Sequence, residues 1–457
     1  MSAQLKIVQC LLGIGYLLFV IYGSLVPLEY RARPFAEAWQ QFLNIRYLEL
    51  GIESRSDWVA NLLLFIPLSF LWLGIFWPRR SIFVKVLASV VLFAASVSLA
   101  TGIEFTQIYF PPRTVSFNDI FAESMGALTG IFLWWSYGEK ALHWFSGWHG
   151  AGDRLNLARR ILYVYLFILF GYSLMPLDLT LSLGELFDKW KEGRLILTPF
   201  GYAYPSTPML IYGFFTETLI WLPVGFLWQL CTTKGKLTTW CYAILAAVLL
   251  EMMQLFVYTR ITDITDILSA ALGAGIGTLL AARLHAAKPI RESGITRAFH
   301  ISPWFFIWSV LFSVWCGVIL FSFLYPFNFI ADIEVVKERF LAFRREVPFQ
   351  SYYFSTEYVA ITALLRKITL FIPLGALLAL VVSKISHPFW RRIGLLGSFT
   401  LILLFAYGVE IGQLFLADRV ASNTDWFLEM LGGAIGYIGL SYMYPTFFSF
   451  HTGVHSK

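Results

Sequence analysis

Long apolar runs alternate with short polar breaks along the whole chain. Runs near the ~20 residues that cross a bilayer lie at about 7–27, 58–77, 83–105 and 118–137. They recur at about 160–176, 214–231, 238–257 and 264–283, and again at about 304–325, 361–383, 393–416 and 425–444. The pattern predicts an all-α, polytopic membrane protein of about 12 transmembrane helices in three groups of four. A unit of four spans starts and ends on one side of the membrane, so the three units are expected to run parallel. The expected boundaries are residues 1–140, 158–284 and 302–445.

Each unit opens with a span that ends in proline: Ser24-Leu25-Val26-Pro27, Ser173-Leu174-Met175-Pro176 and Phe323-Leu324-Tyr325-Pro326. Proline stops a helix there. A polar, aromatic-rich connection follows, and each holds a helix-spaced apolar stripe. Residues 34–50 place Phe35, Trp39, Phe42 and Leu43 on one face, 183–196 place Leu183, Phe187 and Trp190, and 333–347 place Val336, Phe340 and Phe343. Such a helix either lies at the membrane interface on the outer side with its apolar face down or packs on the end of the bundle.

The second span of each unit carries an internal proline, Pro67, Pro223 or Pro373, which frees a carbonyl that a neighbouring helix must satisfy. Six residues earlier stand three different intramembrane polar residues, Asn61, Glu217 and Lys367. The third and fourth spans share a gapless spacing. Counting from Glu104, Glu251 and Glu410, a glutamine follows at +3 (Gln107, Gln254, Gln413), an arginine at +9 (Arg113, Arg260, Arg419) and an aspartate at +15 (Asp119, Asp266, Asp425). Glycines follow at +22 and +26: Gly126 and Gly130, Gly273 and Gly277, Gly432 and Gly436. A small-xxx-small pair lets another backbone come close. At +19 the chain has Glu123, Ala270 and Glu429, and at +12 Ser116, Asp263 and Ser422.

Composition agrees with membrane embedding: 58% of residues are hydrophobic and 14% charged, where soluble domains carry about 25% charged residues. The first span lacks a small-residue cleavage site and is expected to be retained. Arg79-Arg80, Lys234-Gly235-Lys236 and Arg391-Arg392 crowd the short connections of one side. The positive-inside rule then puts both termini on the cytoplasmic side of the membrane. The net charge of +6 is a topology signal and not one of nucleic-acid binding. Cys10, Cys231, Cys241 and Cys316 fall in or at the ends of apolar runs without metal-ligand spacing, so no metal, disulfide framework or cofactor is expected.

Helical spacing puts Glu104 beside Gln107 and Asp119 beside Glu123. The expected product is a cluster of acid, amide and arginine at the outer end of a hairpin. Two readings remain open. The arginine neutralises Glu104 and Asp119 and closes the hairpin, or the cluster is a ligand-binding pocket in which arginine meets an anionic head group.

Taken together, the proline-ended first span, the NLLLFIP stretch around Asn61, and the E-x-x-Q, R, D and glycine series resemble the VanZ-like family, in three tandem copies. The resemblance implies a bacterial cell-envelope membrane protein tied to low-level teicoplanin resistance or to polysaccharide biogenesis. Family copies typically have asparagine at +19, where this chain has Glu123, Ala270 and Glu429; Asp263 could replace the acid missing at Ala270. The functions weighed are binding of a lipid-linked or glycan envelope component at the outer leaflet, an enzyme on polyprenyl or glycolipid substrates, and a transporter or scaffold. A transporter would pair Glu217 with Lys367 across a path. Membrane lipids are the expected partners. Repeats one or three are expected to hold the active pocket, since they keep the fuller acid set.

Overall fold

The structure, a computed structural model, describes residues 3–45, 47, 51–78, 81–111, 113–146, 154–180, 182–202, 204, 206–286, 303–330, 332–353, 357–383, 385 and 388–448. Arg79, Arg80 and the repeat junctions at 147–153 and 287–302 lie outside them. Two compact units result, Met1–Lys288 with the first two repeats and Pro289–Lys457 with the third.

Repeat one consists of α1 (Ala3–Leu25), α2 (Phe35–Leu43), α3 (Ile52–Phe76), α4 (Ile82–Gln107) and α5 (Phe117–Ser146). Repeat two has α6 (Arg154–Ser173), α7 (Leu183–Lys191), α8 (Thr207–Leu230), α9 (Lys236–Gln254) and α10 (Ile264–Ala286). Repeat three has α11 (Pro303–Leu324), α12 (Ile333–Arg345), α13 (Gln350–Tyr353), α14 (Glu357–Ser383), α15 (Pro388–Leu414) and α16 (Asn423–Phe448). Among the described residues, ten helices are long and apolar enough to cross a membrane. The remaining two long ones, α5 and α16, carry Asp119 and Glu123, and Asp425 and Glu429, in their first two turns. The chain is a multi-pass membrane protein.

In every repeat the second and fourth spans are the most intimate pair, and the spaced glycines are the reason. A Cβ on Gly126 would strike the Leu62 carbonyl, and one on Gly130 the Ile66 carbonyl. Gly273 and Gly277 meet the carbonyls of Thr218 and Leu222 in the same way, and Gly432 and Gly436 those of Ile368 and Ile372. The second of each pair faces the carbonyl just before the internal proline. The first spans support that proline region: Tyr16 and Tyr165 donate hydroxyls to the Leu64 and Ile220 carbonyls (3.0 and 2.7 Å), and Trp315 its indole N–H to Leu370 (2.9 Å). In each copy the acceptor lies three residues before the proline. The carbonyl that the proline itself frees lies one residue earlier, four before it, so the first span braces the kink beside that acceptor.

The aromatic stripes differ in burial among the repeats. On α2, Phe35, Trp39 and Leu43 are exposed while Ala38 is turned inward, and on α7, Leu183, Phe187 and Trp190 are exposed around a buried Lys189. On α12, Phe343 is buried, so this helix packs on the bundle end. The helix expected over 183–196 ends at Lys191 because Gly193 takes φ +73°. Gly193 and Arg194 then return N–H bonds to Trp190 and Lys189 in a Schellman closure. The chain continues as β1 (Leu195–Ile196), parallel to β2 (Thr262–Asp263). The short helix α13 has no counterpart in the sequence expectation.

Candidate functional site

The motif residues of each repeat meet where the third and fourth spans are joined. The residue at +12 is the N-cap of the fourth span. The Ser116 hydroxyl accepts the Asp119 N–H (3.2 Å), the Asp263 carboxylate accepts the Thr265 N–H (2.8 Å), and the Ser422 hydroxyl accepts the Thr424 N–H (3.1 Å). Asp263 is thus a cap, in the position of the two serines. The spacing Ser-x-x-Asp or Asp-x-x-Asp was a readable helix-start signal.

The glutamate that opens each motif accepts the backbone N–H of this capping residue: Ser116 to Glu104 at 3.0 Å, Asp263 to Glu251 at 3.2 Å and Ser422 to Glu410 at 2.8 Å. All three glutamates are buried. The last turn of the third span is thereby tied to the first residue of the fourth.

Gln107 and Gln254 donate to the carbonyls of Ser24 and Ser173, three residues before the terminal proline of the first span (2.8 and 3.2 Å). Gln413 instead donates to Glu410 (3.2 Å). The arginines go to the same end of the first span. Arg113 donates to the Gly23 carbonyl, Arg260 to Met175 and Tyr172 (2.6 and 3.0 Å), and Arg419 twice to Tyr325 (3.2 and 2.7 Å). A cation on the last carbonyls of a helix satisfies acceptors that the helix cannot and meets the negative end of its dipole.

A second set of cations does the same for the third span. Lys189 is wholly buried and donates to the carbonyls of Gln254, Leu255 and Val257 (2.7, 3.2 and 2.7 Å). Burial pushes its pKa down to about 8, with Asp178 opposing, so it stays an ammonium at neutral pH. Arg339 donates to Leu416, Ala417 and Arg419 (2.6, 3.2 and 3.2 Å).

The three different residues of the second span lie at the +15 aspartates. Asn61 donates to Asp119 (2.8 Å). Lys367 forms an ion pair with Asp425, whose other oxygen accepts the Tyr352 hydroxyl. Lys367 thus finds its acid within its own repeat, so that lysine needs no partner in Glu217. In repeat two the two positions hold acids, Glu217 and Asp266, which act on each other electrostatically. At +19, Glu123 and Glu429 are buried among these groups.

Repeat three has a cavity with this motif in its wall. Its volume is about 520 Å³, and its lining includes Arg339, Arg345, Glu346, Gln350 and Arg419 with Phe343, Leu414 and Val420. Of these, only Arg419 belongs to the spaced motif. Leu414 and Val420 come from the end of the third span and the connection after it, and the others stand on the amphipathic helix and just after it, where the paired Arg344-Arg345 at the end of an apolar stripe was the available signal. Among the described residues no group of His, Cys, Asp and Glu is arranged to hold a metal ion.

The sequence profile of the VanZ/LLP1 family matches residues 13–138, 162–285 and 300–445. No curated protein and no solved structure matches the chain. The three matched segments take in each of the three hydrogen-bonded hairpins, and the chain belongs to the VanZ/LLP1 family, carrying the VanZ-like unit three times in tandem.

Proposed function

We propose that this protein is a binding module of the bacterial plasma membrane, with both termini cytoplasmic. It holds a lipid-linked or glycan envelope component at the outer leaflet, and so affects teicoplanin susceptibility or polysaccharide biogenesis. The observation that carries the proposal is the cavity of repeat three. It lies at the end of the bundle where the third and fourth spans are joined, beside an amphipathic helix, and its lining mixes arginine with apolar side chains. Sites of a few hundred Å³ that combine an apolar wall with a few fixed polar groups are ordinary ligand sites. The charge of the short connections supports placing this end outside.

The test is native mass spectrometry of the full-length protein released from its own membranes, beside Ala342→Trp, which fills the cavity from α12. The wild type should retain an envelope lipid that the variant loses, and strains carrying the variant should match the deletion strain in teicoplanin susceptibility. Retention of no lipid, or equal retention by both proteins, would sink the proposal.

A further inference from the structure

The cations that line the repeat-three cavity differ from the corresponding ones of repeat two in having no carboxylate within ion-pair distance among the described residues. In repeat two, Lys189 spends its three protons on carbonyls and lies fully buried, and Arg194 pairs with Glu192 at 2.9 Å. In repeat one the inward position on the amphipathic helix is Ala38. The cavity of repeat three instead gathers Arg339, Arg345 and Arg419 around one acid, Glu346.

That acid is already committed. Its Oε1 accepts the Ser422 hydroxyl (3.0 Å) and its Oε2 the Asn423 N–H (2.8 Å), so it serves the start of α16. Arg339 and Arg419 are held by backbone carbonyls, which fix a guanidinium without cancelling its charge. Arg345 is exposed and has no carboxylate within ion-pair distance among the described residues. Three cations against one anion leave a charge of +2 around the cavity. Phe343, Leu414 and Val420 line its apolar part, and Val420 is 78% exposed at the rim.

A carboxylate would balance one of those two charges. A phosphate monoester carries about −1.5 to −2 at neutral pH, and a phosphate or diphosphate presents the paired oxygens that guanidinium forks bind best. We propose that the cavity of repeat three binds the phosphate or diphosphate head of a lipid. The three arginines take the anion, and Phe343, Leu414 and Val420 meet the first carbons of its chain. This inference rests on the binding function proposed above and names its ligand class.

The test measures binding of farnesyl diphosphate, farnesol and inorganic pyrophosphate to the full-length protein in detergent. Arg345→Ala and Arg345→Glu are compared with the wild type after melting curves show that both are folded. Farnesyl diphosphate should bind at least about tenfold tighter than either farnesol or pyrophosphate. Arg345→Ala should weaken it about tenfold, with Arg345→Glu weaker still, and leave farnesol unchanged. Equal affinity for farnesol, or no effect of either variant, overturns the proposal. Pyrophosphate binding as tightly as farnesyl diphosphate overturns its lipid part. If the phosphate arm fails while Ala342→Trp still strips the native lipid, the inference falls and the binding function stands. If no native lipid is retained, the binding function falls first.

Discussion

A buried glutamate that accepts a backbone N–H answers to different mutations from one that meets an arginine. Glu104→Ala leaves the Ser116 N–H unpaired at a buried position. It should cost about 1–3 kcal/mol, read from the denaturation midpoint in detergent, while Glu104→Gln keeps an acceptor and should cost less. Lys189 yields a pH test. Its pKa is near 8 in the folded protein against about 10.4 in an unfolded chain. Between these values the unfolded state binds more protons, so this residue's contribution to stability rises with pH, and it is constant below pH about 8. The stability difference between wild type and Lys189→Met should therefore move in favour of wild type from pH about 8 to 10.4, measured as melting temperature against pH. A flat difference would mean that the ammonium is held by its three carbonyls as firmly as by water.

Between elements, the glycine pairs decide how closely the second and fourth spans approach. Gly277→Val puts a side chain into the Leu222 carbonyl, where no flexible group can yield. It should cost at least about 1–3 kcal/mol, and Gly397→Ala, with nothing within 4 Å of the new atom, serves as the neutral control in the same melting assay. This contact was legible in the sequence because glycines at +22 and +26 recur in all three copies and a small-residue pair has one physical use in a membrane helix. The helix starts were legible too, through Ser116, Asp263 and Ser422. The destinations of Glu104 and Arg113 were not, for a physical reason. Charged side chains suggest charged partners, whereas the acceptors and donors used here are backbone groups at helix ends, which every residue type carries alike. The cavity was hidden for a related reason: Arg345 and Glu346 are adjacent in sequence, and only the fold shows that the acid is consumed by the start of α16 while the arginine is not.

At the scale of the molecule, repeats one and two share a bidentate ion pair. Arg55 donates to both oxygens of Glu185 (3.0 and 2.9 Å) and to the Leu179 carbonyl (2.9 Å), with little of either side chain exposed. A double-mutant cycle of Arg55→Ala and Glu185→Ala should give a coupling of about 0.5–3 kcal/mol; additive losses would mean that each residue acts alone. The arginines at +9 carry a different consequence, for synthesis at the ribosome. The terminal carbonyls of each first span wait for a guanidinium that lies 90, 85 and 94 residues further on. A nascent first span therefore leaves the translocon with its C-terminal end uncapped, and the completed hairpin arrives later to close it. Each repeat matures as a whole, and a chain stalled just short of Arg113, Arg260 or Arg419 would present quality-control proteases with an unfinished helix end at the membrane surface.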